Sequence, residues 1–291
     1  MLHTIENEHL ICTIESQGAE IRSLINKQTG QEYIWQIDTS VWGSSSPILF
    51  PSIGVVKENK IIYNDTQYSM PKHGIVRNND SMTFAQNSKS QCLFKLQSSG
   101  DTLKQYPFKF SFTVDFKLVS NHLVTAYHIV NHDTNAMKFI CGGHTAYKCS
   151  LDKGVTLSDY VIEFPKKITL ESLTLGTSGL LTSKKRKLVT NENYISLSNT
   201  LFNADALIFP DIEFDWVRLR KKNESKGIIV RFSGYPHLAL WSKPFADYVC
   251  IEPWLGLPDK ENESVNLNNK STYKTLAPGD SYSIAIETEI E

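Results

Sequence analysis

The sequence predicts a mainly β protein: one large, mostly antiparallel β domain over residues 1–291, folded as a multi-stranded sandwich. Three observations predict it. Short stretches alternate apolar and polar residues along most of the chain, which sends one set of side chains to a core and the other to water. Turn-forming residues separate these stretches at short intervals. No long stretch holds a 3.6-residue apolar period. Hydrophobic residues make up 41% of the 291-residue chain and charged residues 21%. That supports a sizeable core, and all-β units of this length often form one domain.

The elements follow in order. "HLICTIES" (9–16) alternates as a half-buried strand does. "FKFSFTVDFKLV" (108–119) and "HLVTAYHIVN" (122–131) are two alternating runs with a short polar break, which predicts a hairpin. "KGIIVRFSG", "HLALWS" and "YVCIEPW" (226–254) continue the pattern. Near the C-terminus, "STYKTLAPGDSYSIAIETEI" (271–290) is a strand, a Pro-Gly-Asp turn and a further strand. "SPILFPSIG" (46–54) and residues 203–208 are the places where a helical turn is expected.

Charge and cysteine content narrow the function classes. The net charge is −1, so neither a nucleic acid nor an anionic membrane is expected as a partner. The basic run Lys184–Lys187 reads as a solvated turn. No stretch approaches the roughly 20 apolar residues of a membrane-spanning helix. The opening residues lack the basic-then-apolar pattern of a secretory signal. Five cysteines, an odd number without framework spacing, suggest reduced thiols and a cytoplasmic protein.

Four segments place polar residues where the surroundings are apolar. In "CGGHTAYKC" (141–149), a zinc site would need a second Cys/His pair, and none follows. On a regular strand Cys141 and Cys149 share one face and His144 the other, so the three do not converge. The cysteines read as small core residues. His144 follows Gly142-Gly143, where the backbone bends or approaches something closely. It is either a structural histidine or one facing a cleft.

In "CIEPWLGLPD" (250–259), Glu252 interrupts an apolar strand just before Pro253, which keeps the preceding residue extended. A carboxyl in such company should titrate high and suit a general base; the alternative is an edge-strand charge in water. In "MPKHGIVRNND" (70–80), His73 and Arg77 lie between strand-like segments, as a polar loop or as part of a site. In "NADALIFPDIEFD" (203–215), Asp205 opens an apolar run, as a cap or turn residue or as a binding carboxylate. Trp42, Phe209, Tyr235 and Trp254 could add flat apolar surfaces. Aromatic faces plus a few fixed polar groups suit a sugar.

In their order and spacing these segments resemble the aldose 1-epimerase (galactose mutarotase-like) family, in its LacX-type branch. The resemblance runs from "GAEIRSLINKQTGQEYIW" (18–35) through "SPILFPSIG", "PKHGIVR", "GGHTAY", "LFNADALIF" and "IEPWLGLPD" to "LAPGDSYS". It implies an antiparallel β-supersandwich and a reaction that interconverts the α and β anomers of a hexose, free or phosphorylated. It implies Glu252 as the base on the anomeric hydroxyl and His144 as the acid on the ring oxygen. His73, Arg77, Asp205 and Trp254 would bind substrate. No metal and no organic cofactor is expected; the partner is a small sugar or sugar phosphate, and the protein a monomer or homodimer.

Two positions depart from the pattern. Galactose mutarotases carry an arginine where this chain has Gly54-Val55-Val56-Lys57, and Lys57 is the candidate replacement, as a point charge rather than a planar fork. Thr145 stands where the branch commonly has proline. Two rival functions remain: a hexose-6-phosphate 1-epimerase, and a non-catalytic carbohydrate-binding protein of the same fold.

Overall fold

Alternation in the sequence becomes strand pairing in the computed structural model, which describes residues 1–291. Phe110–Val119 and His122–Asn131 form the expected hairpin, turning through Ser120 at φ 51°. In the second strand Leu123, Thr125, Tyr127, Ile129 and Asn131 are buried and the residues between them are half-buried. Every named strand pairing is antiparallel, in a fifteen-stranded sheet and smaller sheets of two and three strands.

The large sheet begins at Ile48–Leu49. It continues through Gly142–Gly143, Tyr248–Trp254, His237–Trp241 and Leu207–Phe209 to Tyr160–Leu175. From there it passes Trp216–Lys221, Gly227–Arg231 and Ser281–Ile290 to reach the hairpin, then ends at Gln91–Gln97 and Thr83–Ser88. Its two ends face each other. Phe50, beside the first strand, stacks on Phe112 near the other end at 4.5 Å. Tyr147 Oη lies 2.6 Å from Thr288 Oγ1 across the same gap. The sheet therefore closes over one core as a sandwich, its inner aromatics fully buried at Phe110, Phe112, Phe116 and Phe139.

The C-terminal strand–turn–strand unit is present with its strands paired elsewhere, and two expected helical turns are absent. The strands Lys274–Leu276 and Ser281–Ile290 flank the Pro-Gly-Asp turn, but they do not pair with each other. The first pairs with Met137–Phe139, and the second has both edges taken by His122–Asn131 and Gly227–Arg231. Neither "SPILFPSIG" nor 203–208 is helical; they hold the short strands Ile48–Leu49 and Leu207–Phe209. The α-helix is instead the single turn Gly100–Leu103, where Ser99 Oγ accepts from the Thr102 N–H. A turn this short leaves no periodicity to read.

One large element had no signal. Tyr160–Leu175 and Leu181–Ser196 form a long hairpin with several register shifts. Pro165–Lys167 on one strand and Ser183–Lys187 on the other are runs of consecutive exposed residues, which interrupt the apolar alternation. No helix of the chain is long and apolar enough to cross a membrane.

Candidate active site

The large sheet's first strands hold the site. Gly142–Gly143 runs between Ile48–Leu49 and Trp254, and after a break at His144 the chain pairs again as Thr145–Lys148 against Tyr248–Ile251. Gly142 is required by contact with backbone, and Gly143 lies close under a side chain. A Cβ on Gly142 would sit 2.7 Å from both Pro253 O and Trp254 Cδ1, and one on Gly143 would sit 2.7 Å from Ile286 Cδ1. The backbone carrying His144 thus presses against the strand carrying Glu252. His144, in the break, escapes the strict alternation of a strand and turns toward Glu252. Its Nε2 lies 3.4 Å from Glu252 Oε2.

Aromatic rings hold the imidazole. Trp42 stacks on it at 5.2 Å and 27°, while Trp241 at 5.8 Å and His73 at 5.6 Å meet it edge-on. Behind it Thr145 Oγ1 lies 2.7 Å from Ser46 Oγ, so the departure from proline supplies a hydroxyl that ties this strand to the "SPILF" segment. His73 has φ 69° and precedes Gly74 at φ 80°. A Cβ on Gly74 would sit 2.1 Å from Phe50 O, so only glycine fits this close crossing. The Gly54 N–H donates to His73 Nδ1 at 3.2 Å, which leaves the ring proton on Nε2.

These residues line one cleft of about 530 Å³, together with Arg77, Asp205 and Trp254. Asp205 holds φ 78° in the turn before Leu207–Phe209, where its Oδ1 accepts from the Ala206 N–H. Arg77 Nη2 donates to Ser44 Oγ at 3.2 Å, and the arginine's Nε is buried without a partner. The same is true of His144 Nδ1, Glu252 Oε2 and Trp254 Nε1. Four of the seven unpartnered buried side-chain polar atoms in the molecule therefore belong to this one cleft. Such atoms are costly unless a ligand satisfies them.

Lys57 does not line the cleft. It lies in the short turn Lys57–Asn59, where its backbone N–H donates to the buried carboxylate of Asp259, itself paired with Lys270. Its expected role in place of an arginine is not supported by this placement. The cations that do line the cleft are Arg77, Lys72 and Lys243. None of the three forms an ion pair with a carboxylate of the chain. Lys72, Lys243 and Trp241 had no distinguishing signal in the sequence; exposed lysines in loops look like ordinary solvated charges. Gly176 and Gly179, at the tip of the long hairpin, also line the cleft.

Burial sets the protonation of the pair. Glu252 is 1% exposed, and desolvation pushes its carboxyl well above the usual range. Desolvation, with the Arg77 charge adding to it, lowers His144 to about 3. The uncharged pair therefore carries one proton, on the carboxyl. The five cysteines are all free and buried, and Cys141 and Cys149 take no part in the pair.

The sequence profile of aldose 1-epimerase matches residues 1–289. The protein LacX of Lactococcus lactis subsp. lactis (plasmid form) is 28% identical over 97% of this chain and 98% of its own. A galactose mutarotase related enzyme from Lactobacillus acidophilus is 31% identical, with a TM-score of 0.93 over 100% of this chain and 97% of that one. A galactose mutarotase-like protein from Lactobacillus casei ATCC 334 is 28% identical, with a TM-score of 0.92 over all of both chains. The chain, matched from end to end by profile and by structure, belongs to the aldose 1-epimerase family.

Proposed function

We propose that the protein interconverts the α and β anomers of a hexose, with Glu252 as base and His144 as acid. The observation that carries this reading is the buried carboxyl–imidazole pair, 3.4 Å apart, at the wall of a cleft of about 530 Å³. Sites of roughly 300–1,000 Å³ hold small ligands of this kind. Ring opening takes a proton from the anomeric hydroxyl and gives one to the ring oxygen, so the pair needs one proton in all. In the free site the pair's one transferable proton sits on Glu252, so it first passes to His144 across the 3.4 Å contact; Glu252 then accepts the anomeric proton and His144 delivers its own to the ring oxygen. The C1–C2 bond then turns in the open-chain aldehyde, and both transfers run backward to close the ring on the other face. While the open form is bound, Glu252 is protonated and His144 neutral. That is the state burial favours in the free site, so the low-dielectric wall stabilises the stage of the reaction in which the ring is open. Each positioned transfer is worth about 10²–10⁴-fold in rate.

His73, Arg77, Asp205 and Trp254 are the proposed sugar contacts, Trp254 by its ring face and the others by hydrogen bonds. A phosphorylated hexose is the second reading, favoured by Lys72, Arg77 and Lys243, three cations without carboxylate partners on one cleft. A purely sugar-binding role leaves the buried acid–base pair without a use. Polarimetry on fresh solutions of glucose, galactose and their 6-phosphates separates the readings. Acceleration by the wild type but not by Glu252→Gln supports catalysis and identifies the sugar. Binding with no acceleration of any of them would leave the non-catalytic reading standing.

A further inference from the structure

We propose that His144, Cys250 and Glu252 form a binding site for a thiophilic divalent cation of the zinc type, seated against the cleft wall. The ligand-capable atoms of the three all lie within 4.8 Å of one another. Two of them, His144 Nε2 and Glu252 Oε2, are 3.4 Å apart. In a tetrahedral zinc site, bonds of about 2.0–2.3 Å place neighbouring ligand atoms about 3.3–3.8 Å apart. The carboxyl and imidazole already meet that spacing, and the thiol needs to close by at most about 1–1.5 Å.

The placement follows from the strand. Cys250 and Glu252 are two residues apart on Tyr248–Trp254, so their side chains share a face. His144 comes to that face from the break between its two short strands. The thiol expected to be incidental beside His144 was Cys141 or Cys149; the one that converges with it is Cys250, from a different segment.

A second observation points to a ligand here. Glu252 Oε2, the atom 3.4 Å from His144 Nε2, is buried and has no hydrogen-bond partner, and the contact between the two lacks hydrogen-bond alignment. The mixed sulfur, nitrogen and oxygen set selects zinc, cadmium or cobalt over magnesium or calcium, which want oxygen alone. On binding, the Cys250 Sγ–H bond and the Glu252 carboxyl O–H bond both break, the two protons leave to solvent, and metal–sulfur and metal–oxygen bonds form. The thiolate and the Glu252 carboxylate then balance the ion's two charges. Three protein ligands leave the fourth position open toward the cleft. The ion would occupy the carboxylate and the imidazole lone pair that anomer interconversion uses, so zinc would inhibit. That inhibitory consequence rests on the proposed function; the binding does not.

The test is a cadmium titration of the full chain, read by the ultraviolet thiolate-to-metal charge-transfer band. One ion per chain and a saturable band are expected in the wild type. Cys250→Ala should abolish the band and weaken binding by more than about 100-fold, since even outer-sphere partners are worth about 10–100-fold. His144→Asn should weaken binding while the band, where formed, remains. No band in the wild type, or an unchanged band in Cys250→Ala, overturns the proposal. Should Cys250→Ala fail to fold, X-ray absorption on the zinc-loaded wild type decides. One sulfur with lighter neighbours supports the site, and nitrogen and oxygen alone overturn it. In the anomer assay, zinc inhibition reversed by a chelator and lost in Cys250→Ala is the expected result. If the band behaves as expected but no sugar is turned over, the metal site stands and the catalytic reading fails.

Discussion

The buried pair makes a quantitative prediction about stability and pH. His144 titrates at about 3 in the folded chain against a usual 6.5. As pH falls below 6.5 the unfolded chain takes up a proton that the folded one refuses, so stability is lost on acidification. Between pH 6.5 and 5 that is 1.5 units at about 1.4 kcal/mol each, or about 2 kcal/mol. Glu252 acts with the opposite sign. Its folded value lies above the usual 4.5, so the folded chain holds the extra proton and stability is gained on acidification. In the wild type the two slopes offset each other. Glu252→Gln keeps the uncharged carboxyl's shape and removes its titration, which exposes the histidine alone. Urea unfolding at pH 7 and pH 5 should then show Glu252→Gln losing about 2 kcal/mol more than Glu252→Gln/His144→Asn. His73, lowered mainly by burial and less by the His144 charge, contributes to both variants and largely cancels. Equal losses in the two variants would refute the buried neutral imidazole. A wild type that loses stability as steeply as Glu252→Gln would refute the protonated carboxyl.

Three further outcomes follow from the same geometry. Because His144 resists a second proton down to about 3, kcat/KM should stay nearly level from pH 7 to 5, where a histidine at 6.5 would lose about 30-fold; a pH–rate series by polarimetry checks it. Arg77→Met should lower kcat/KM for a hexose 6-phosphate about 10–100-fold more than for the free hexose, the worth of a charge-assisted contact; equal losses would assign the arginine to a hydroxyl. Lys270→Met leaves Asp259 buried without its cation and should destabilise the fold by about 3–5 kcal/mol, seen as a lower urea midpoint at pH 7.

Much of this was legible in the sequence where a residue broke a local rule. Glu252 interrupts an apolar strand, His144 follows paired glycines, and His73 precedes a glycine at a crossing too tight for a side chain. Each exception marks a position on the same cleft. What the sequence did not reveal has physical reasons. Lys57 and Lys72 are both loop lysines, and only the turn at Lys57–Asn59, with Glu58 and Asn59 at positive φ, decides that Lys57 offers its N–H to Asp259 rather than its ammonium to the cleft. The long hairpin carries a run of consecutive exposed residues on each strand, Pro165–Lys167 and Ser183–Lys187, which interrupts the alternation that betrayed the other strands. Cys250 could not be paired with His144 from spacing, because the two meet across a strand pairing between residues about a hundred positions apart.

The central claim is that Glu252 and His144 together move the two protons of anomer interconversion. NMR magnetisation exchange between α and β anomeric signals at equilibrium tests it most directly, on the hexose or hexose phosphate that the polarimetric series selects. Exchange well above the spontaneous rate is expected with the wild type, and a return to that rate in both Glu252→Gln and His144→Asn while sugar binding persists. Spontaneous exchange with the wild type on every sugar, or either variant exchanging as fast as the wild type, would contradict it.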